Sequence, residues 1–502
     1  MNIRLVMYLL GKLSIACAVA MVVPMITALL LGEYMFLGFI FSFMICAFIG
    51  GALIGNGEKN KRAHLNLREA LATVGCGWLL VCFLGAIPYY LSGLVSPVGA
   101  IFESTSGFTT TGVTTLSSLS NFPDSLLVWR SMTHWTGGIG VIMLFITIMP
   151  QVGSGANYLF NAEIPGPAAE RTLPKIKESA FVIFTVYIFF TIITTVALKV
   201  AGMSWFMAMN LALASVATGG FSYQYESLME FETVYVEMIV IIAMVAASLN
   251  FALYYKIYQH NFKVFWIDTE RKAYFWIIGI ATFLITWNLY YTGYFDAATS
   301  FRHALFQTVS IASTTGFASS DFNLWPDFSR YVLLLLMFVG GCSGSTAGGM
   351  KVSRFVILLK VTWAELRRTI HPRLVYSIKM GGRNVPPVVV GNVTRFFYLY
   401  MIVFSTLTLL ISLTGLSMLL CAVAGIPCVA FDNLSGKVSG VYRFIEDLPY
   451  IRTIKDKTDI VEKLKGIFNK NKIHIEEQSE HRISSLEQGF LALEECIFGK
   501  EV

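Results

Sequence analysis

Nine long apolar stretches constrain what this chain of 502 residues can fold into more than any other feature. An α-helix needs about 20 mostly apolar residues to cross the hydrocarbon core of a bilayer. The stretches are 5–31, 34–54, 70–92, 125–149, 179–200, 233–255, 273–292, 330–350 and 394–424. With 55% hydrophobic and 14% charged residues, the composition excludes an ordinary soluble domain and predicts an all-α integral membrane protein in contact with a lipid bilayer.

The distribution of basic residues predicts the orientation of these helices. With a cytoplasmic N-terminus, the inner connections hold nineteen Lys and Arg residues, whereas the outer connections hold only Arg302. The inner connections are 56–69, 150–178, 256–272 and 351–393, and the outer ones are 93–124, 201–232 and 293–329. By the positive-inside rule, this imbalance predicts that the N-terminus is cytoplasmic.

Acidic residues show the opposite distribution. Eight fall in the outer connections, namely Glu103, Asp124, Glu226, Glu230, Glu232, Asp296, Asp321 and Asp327. A negatively charged mouth would concentrate cations, although acids also simply solubilise outer loops, and both interpretations stay open. His134, next to Trp135 and close to Arg130, is predicted to belong to an interfacial belt at the outer surface.

Each outer connection carries the same pattern, a short apolar segment followed by a cluster of Thr and Gly. The copies are GAIFESTSGFTTTGVTT (99–115), WFMAMNLALASVATGGFS (205–222) and SFRHALFQTVSIASTTGFASSDF (300–322). Aligned on the Thr-Gly dipeptide, they place Thr111-Gly112-Val113, Thr218-Gly219-Gly220 and Thr315-Gly316-Phe317 in equivalent positions. A repeated unit of span, half-span, Thr-Gly turn and span is therefore predicted.

Non-helical backbone at membrane depth occurs only where protein buries it or where it lines an aqueous path. Glycine allows positive φ, so a Thr-Gly turn directs successive carbonyls to one side. These oxygens, together with threonine hydroxyls, can replace the hydration shell of an alkali cation. The three copies therefore indicate re-entrant loops that line a cation pathway.

The stretch GGCSGSTAGGM, residues 340–350, predicts that the eighth span is broken, because each glycine costs close to 1 kcal/mol in a helix relative to alanine. Close packing of helices through small residues is an alternative interpretation. A phosphate-binding loop is disfavoured, because that motif needs GxxxxGK followed by Ser or Thr, whereas Lys351 precedes Val352.

The sequence gives no support for enzymatic chemistry. The seven histidines show no HxxxH or HExxH spacing, and the eight cysteines form no CxxC pair. No Ser/His/Asp or paired-carboxylate arrangement is indicated. We predict a protein that is not an enzyme, needs no cofactor and binds no nucleic acid.

Over residues 1–420 the chain resembles the Trk/Ktr potassium-uptake family, specifically its TrkH type. The resemblance implies two extra N-terminal helices and helix–pore-loop–helix units around a central pore, with potassium entering across the bacterial inner membrane. It implies a homodimer, and a cytoplasmic nucleotide-binding partner of the TrkA or KtrA type for which the basic segment 351–393 is a candidate contact.

The resemblance also assigns roles to residues of the two motifs. The implied potassium-binding filter, the only metal site expected, comprises Thr110, Thr111, Gly112, Thr218, Gly219, Thr314, Thr315 and Gly316. The implied gate loop comprises Gly340, Gly341, Ser343, Gly344, Ser345, Gly348 and Gly349.

The resulting domain prediction has an incomplete fourth unit. It comprises a two-helix hairpin (1–56), pore repeats at 57–170, 171–258 and 259–392, the first helix of a fourth repeat (393–424) and an unrelated tail (425–502). The tail is predicted to form a small soluble α/β fragment, and it resembles the C-terminal end of polysaccharide pyruvyl transferases. Asn433 to Gly440 (NLSGKVSG) is a poor fourth filter segment, because Lys437 would place a positive charge beside a cation path. A non-conducting truncated or fused membrane protein is therefore the alternative prediction.

Overall fold

The computed structural model describes residues 2–57, 67–116, 119, 121–138, 140, 174–223, 233–371, 377–381 and 383–413. Within these residues the fold is almost entirely helical, with one short antiparallel hairpin of strands β1 (Lys379–Met380) and β2 (Arg383–Asn384). The helices are α1 (Ile3–Ala20), α2 (Val22–Leu31), α3 (Met35–Asn56), α4 (Leu67–Leu91), α5 (Pro97–Phe108), α6 (Asp124–Gly138), α7 (Pro174–Val200), α8 (Trp205–Val216), α9 (Val234–Ser248), α10 (Phe251–Tyr258), α11 (Phe262–Ile267), α12 (Thr269–Tyr291), α13 (Ala297–Ala312), α14 (Asp327–Met337), α15 (Val352–Ile370) and α16 (Pro387–Leu413).

The chain divides into two units, Met1–Tyr398 and Leu399–Val502. Of the second unit, the described part is the end of α16. The tail 425–502, the NLSGKVSG segment and the remainder of the expected fourth repeat lie outside the described residues.

Six helical segments of the described chain are long and apolar enough to cross a membrane, or seven if the bent pair α9–α10 forms one span. The six are Ile3–Leu31, Met35–Asn56, Arg68–Leu91, Phe181–Val200, Thr269–Tyr291 and Pro387–Leu410. They agree with six of the nine expected stretches. The other three expected stretches, 125–149, 233–255 and 330–350, each contain the second helix of a repeat.

The stretch 233–255 does not form one continuous helix, because α9 and α10 meet at an angle of 90°. Leu249 is extended, and the Asn250 side chain accepts a hydrogen bond from the Ala252 amide at 2.9 Å, which starts a new helix. The expected break in 330–350 is present, because α14 ends at Met337. In 125–149, α6 ends at Gly138 and Gly140 has a φ of +78°.

Buried apolar side chains on α1 to α6 form one core cluster, those on α7, α8, α9, α12, α13 and α15 contribute to a second, and those on α12, α13 and α14 contribute to a third. The N-terminal hairpin closes through small residues, since a methyl group on Gly11 would lie 2.7 Å from the Gly50 carbonyl oxygen of α3. Side chains on the outer face are exposed, as for Leu30 (79%) and Phe48 (77%). This arrangement, with apolar side chains facing outward and polar ones inside, is the one a lipid environment favours.

Candidate functional site

Three short helices, α5, α8 and α13, lie in the interior of the described chain, and each starts with a side-chain cap. Ser96 and Ser204 accept hydrogen bonds from amides three residues ahead, at 3.1 and 3.2 Å. Asp296 does the same for Ala298 and Thr299, at 3.1 and 3.3 Å. The caps satisfy amides at the N-terminal ends of the helices. The negative ends of the three helix dipoles lie at the C-termini, beside the turns that follow.

The three turns share one backbone conformation. In each, a threonine with positive φ follows the helix, and a glycine with positive φ comes two residues later. The pairs are Thr110 (52°) with Gly112 (78°), Thr218 (52°) with Gly220 (87°), and Thr314 (58°) with Gly316 (84°). A threonine in the left-handed region is uncommon and costs energy, so its recurrence at three equivalent positions marks a shared, built geometry.

This register corrects the sequence alignment in the second loop. Thr218 is equivalent to Thr110 rather than to Thr111, so Gly220 and not Gly219 is the equivalent of Gly112. Backbone hydrogen bonds agree, because the amides of Thr110 and Thr218 both donate three residues back, at 3.0 and 3.1 Å. Alignment on the Thr-Gly dipeptide gives the wrong equivalence in the second loop, because the register is set by the end of the preceding helix and not by the Thr-Gly pair.

The first loop contacts the second, and the second contacts the third, in the same way. A methyl group on Gly112 would collide with the carbonyl oxygen of Gly219, and one on Gly220 would collide with the carbonyl oxygen of Thr315. Among the described residues, no atom lies within 4 Å of the corresponding position on Gly316. Gly112 and Gly220 therefore each pack against the middle carbonyl of the next loop, which arranges the three loops as an arc.

Hydroxyl groups brace the first and third loops in the same way. Thr109 and Thr111 share a hydroxyl–hydroxyl bond of 2.8 Å, and Ser313 and Thr315 share one of 2.7 Å. The hydroxyls of two further serines donate to the carbonyl that follows the glycine. These bonds are Ser106 to Val113 at 2.5 Å and Ser310 to Phe317 at 2.6 Å.

Glu103 lies behind the loops and not at a mouth, which corrects one of the eight acidic positions. Its carboxylate is fully buried, lies 3.3 Å from the Arg130 guanidinium, and accepts the Thr114 hydroxyl and the Thr115 amide at 2.7 Å each. Arg130 also donates to the Ser222 carbonyl at 3.0 Å. The ion pair thus ties the chain after the first turn to the chain after the second.

Asp296 and Asp327 remain at the surface as the sequence predicts, and Asp327 pairs with Arg330. Asp124 accepts a hydrogen bond from the Tyr223 hydroxyl at 3.3 Å. Glu226, Glu230 and Glu232 lie outside the described residues.

His134 is also buried, so its assignment to an interfacial belt is wrong. Its Nδ1 lies 2.7 Å from the Gly107 carbonyl oxygen, and its Nε2 accepts the Phe221 amide at 3.1 Å. The ring stacks on Phe221 with centroids 4.0 Å apart. This histidine therefore contacts two loops from behind.

The glycine-rich segment after α14 forms a non-helical loop that doubles back on itself. The Gly340 amide donates to the Met350 carbonyl at 2.9 Å, and the Val352 amide donates to the Gly341 carbonyl at 3.2 Å. A methyl group on Gly340 would collide with the Gly348 carbonyl. The two ends of the loop therefore lie side by side, and glycine is required where they meet.

The tip of this loop lies directly against the third Thr-Gly turn and the end of α8. The Gly348 amide donates to the Thr314 hydroxyl at 2.6 Å, and the Thr346 hydroxyl donates to the Val216 carbonyl at 3.1 Å. Val216 is the last residue of α8. The loop thus lies at the C-terminal ends of α8 and α13, in contact with the third turn and with the last residue of α8.

The base of the loop is held by Glu270, in the first turn of α12. One carboxylate oxygen accepts the Ser343 amide at 2.7 Å, the Ser343 hydroxyl at 3.0 Å and the Ser353 amide at 2.9 Å. The Lys351 ammonium donates to the Ala347 carbonyl within the loop. Glu270 therefore joins both ends of the loop to α12 through charge-assisted hydrogen bonds.

The break between α9 and α10 supplies further partners for this loop. The Cys342 amide donates to the Ser248 carbonyl at 2.9 Å, and the Phe251 amide donates to the Gly344 carbonyl at 3.1 Å. The backbone groups at the break in the second helix of one repeat thus form hydrogen bonds with backbone groups of the loop in the next repeat.

Residues 38–422 match the TrkH family, whose members are described as cation transport proteins. The chain belongs to the TrkH family. It is 32% identical over 420 residues to the Trk system potassium uptake protein TrkH of Halomonas elongata, covering 83% of this chain and 87% of the relative. It is 35% identical over 423 residues to the TrkH protein of Escherichia coli strain K12, with the same coverage of both chains.

The fold also matches a solved member of the TrkH family. The crystal structure of the potassium transporter TrkH from Vibrio parahaemolyticus superposes with a TM-score of 0.76 at 31% identity. The match covers 84% of this chain and 89% of that one. These matches identify the chain as a membrane protein of a transporter family.

Four residues important to this TrkH-family site are absent from the sequence-based assignment. The alignment on the dipeptide pairs Gly220 with Val113 instead of Gly112, and it gives His134, Asn250 and Glu270 no role at the loops. Asn250 follows a serine and a leucine in SLN, a recognisable helix-start signal. Glu270 has the sequence signature of an ordinary first-turn acid, so its contact with a loop 73 residues away has no local signal.

Proposed function

We propose that the chain conducts potassium into the cell through the arc of Thr-Gly turns. The observation that carries the proposal is the recurrence of one strained turn, with positive φ at Thr and Gly, at the ends of three inward-lying short helices. The relatives named as potassium uptake proteins support potassium as the ion.

The proposed filter contains the residues expected from the resemblance together with Gly220. Carbonyl oxygens of the turns, with the Thr110, Thr218 and Thr314 positions at their start, replace water around the ion. Helix C-termini directed at the turns add negative potential, which favours a cation. Alkali cations need no covalent chemistry, so transport rather than catalysis is the proposed activity.

The proposed gate is the loop 340–350 with its residues Gly340, Gly341, Ser343, Gly344, Ser345, Gly348 and Gly349. Its contacts with Thr314 and Val216 support a position in the path of an ion leaving the turns. Opening requires these hydrogen bonds to break while the anchor at Glu270 holds or releases the base of the loop. Two conformations separated by a few hydrogen bonds are readily biased by a regulator.

The proposed setting is the bacterial inner membrane with a cytoplasmic N-terminus, supported by the imbalance of basic residues between the two sets of connections. A TrkA- or KtrA-type nucleotide-binding subunit is the proposed regulator, and two chains are proposed to pair. The exposed basic residues Arg367 and Arg368 at the end of α15 are candidate contacts for that subunit.

A non-conducting fused membrane protein is retained as a second candidate, because the family match ends at residue 422 of the 502. Growth on limiting potassium separates the two. The full chain is expressed in a bacterial strain that lacks its own potassium-uptake systems, and its insertion is checked in the membrane fraction. We expect growth to be restored, whereas inserted protein that fails to restore growth would support the second candidate.

A further inference from the structure

The second filter loop lacks the side chains that brace the other two. In the second loop, Ala217 stands at the position that Thr109 and Ser313 hold in the other two loops. Gly219 stands at the position that Thr111 and Thr315 hold there. The serine that donates to the carbonyl after the glycine is replaced by Ala214. The second loop therefore needs another source of support.

His134 of α6 occupies the space that these side chains leave. A methyl group on Gly219 would collide with the imidazole ring, whose Nε2 would lie 2.8 Å away. The ring is completely buried and stacks on Phe221 at an interplanar angle of 18°. The His134 ring thus fills the space that a threonine side chain at position 219 would occupy, so a threonine does not fit there.

The hydrogen bonds of His134 define its tautomer. The Phe221 amide can only donate, so Nε2 is the unprotonated nitrogen and Nδ1–H donates to the Gly107 carbonyl. The neutral ring therefore joins the last turn of α5 to the second filter loop, and both nitrogens are used.

The amide that His134 holds belongs to the peptide group of Gly220. In a trans peptide the N–H and C=O point in opposite directions. Because the Phe221 N–H points back to His134, the Gly220 carbonyl is directed away from the histidine. The orientation of one filter carbonyl is thereby fixed by a side chain from the preceding repeat.

We propose that His134 is a positioning residue that sets the selectivity of the filter for K⁺ over Na⁺. The inference deepens the proposed function and rests on it. Carbonyls held at fixed orientation discriminate between cations of different size, whereas a freely rotating Gly220 peptide adapts to the smaller ion. The first and third loops achieve the same restraint with hydroxyl groups.

The test compares His134→Phe with His134→Gln in the full chain reconstituted into liposomes. Phenylalanine fills the space but accepts no hydrogen bond, whereas the glutamine amide has both an acceptor and a donor. We expect His134→Phe to lower the ratio of K⁺ to Na⁺ flux about fivefold, as the loss of one hydrogen bond of about 1 kcal/mol implies, and His134→Gln to retain most of it. His303→Phe is the matched control, because this buried histidine contacts Ser319 and Arg302 and no filter turn.

A second measurement reads the site without requiring conduction. The thermal unfolding temperature of each detergent-solubilised chain is recorded in KCl and in NaCl. We expect the two temperatures to differ for the parent and for His134→Gln, and to be equal for His134→Phe. If the parent chain shows no ion flux, the proposed function is contradicted but the role of His134 is not. The unfolding temperatures then decide the role of His134. Equal selectivity, or an equal KCl–NaCl difference, in folded His134→Phe and parent chains overturns the inference.

Discussion

At the scale of single residues, the close contact between Gly219 and His134 gives a direct test of the corrected register. Gly219→Ala places a methyl group against the imidazole and is expected to destabilise the fold by about 1–3 kcal/mol. His134→Ala removes the obstacle but leaves the Phe221 amide unpartnered. Since the two residues are in contact, we expect the double variant to be more stable than the sum of the single effects by about 0.5–3 kcal/mol. Thermal unfolding in detergent measures this coupling, and strict additivity would contradict the contact.

The ion pair of Glu103 and Arg130 gives a second prediction at this scale. Breaking a buried pair by removing one partner leaves an uncompensated charge and costs about 3–5 kcal/mol. Arg130→Met is therefore expected to lower the unfolding temperature strongly, whereas Glu103→Leu combined with Arg130→Met recovers part of the loss. The exposed pair of Asp327 and Arg330 is the matched control, and Asp327→Asn is expected to cost below about 1 kcal/mol. Equal losses from the buried and exposed changes would show that the Glu103 network does not hold the loops.

At the scale of elements, the anchor of the glycine-rich loop predicts a change in gating. Glu270→Gln keeps the shape of the side chain but removes the charge that strengthens its bonds to Ser343 and Ser353. We expect the loop to leave the filter more often, and the flux of K⁺ without a regulatory subunit to rise about fivefold if about 1 kcal/mol is lost from the closed state. Flux into liposomes measures the effect, with Glu365→Gln on the exposed side of α15 as control. An unchanged flux in Glu270→Gln would exclude Glu270 as a restraint on the gate.

The elements also show how far the sequence determines the fold. Long apolar runs predict nine spans, six of which agree with span-length helices of the described chain, and repeated Thr-Gly clusters predict the three loops, because both signals are local. The 90° break between α9 and α10 was missed because apolar composition continues across Leu249, so only the capping role of Asn250 distinguishes two helices from one. The register of the second loop depends on where α8 ends, which a dipeptide does not report.

The partners of the buried polar residues could not be predicted for a different reason. Glu103 and Arg130 lie 27 residues apart in the chain, and Glu270 and Ser343 lie 73 apart. Their pairing follows from the packing of repeats, which no local pattern encodes. Charge in a connection was therefore interpreted as surface charge, although the low-dielectric interior accepts charged side chains that are paired and hydrogen-bonded.

At the scale of the whole molecule, the charge distribution predicts the orientation in the membrane. Cysteines introduced as Asp327→Cys and Glu365→Cys lie on the two sides of the third repeat, at the start of α14 and within α15. With a cytoplasmic N-terminus, a membrane-impermeant maleimide added to intact cells should label the first and not the second, relative to the parent chain. The reverse labelling pattern would invert the topology and make the proposed gate an outer loop.

The most direct test of the central claim measures K⁺ flux through the full chain in liposomes with one filter glycine changed. Gly220→Ala forces a methyl group against the Thr315 carbonyl at a φ of +87°, whereas Gly279→Ala lies in the helix α12 with nothing within 4 Å in the described chain. We predict K⁺ flux in the parent and in Gly279→Ala, and a loss of at least about tenfold in folded Gly220→Ala, since a strained left-handed residue costs about 1–3 kcal/mol. Equal flux through all three chains, or no flux through the parent, would contradict a potassium pathway built from these turns.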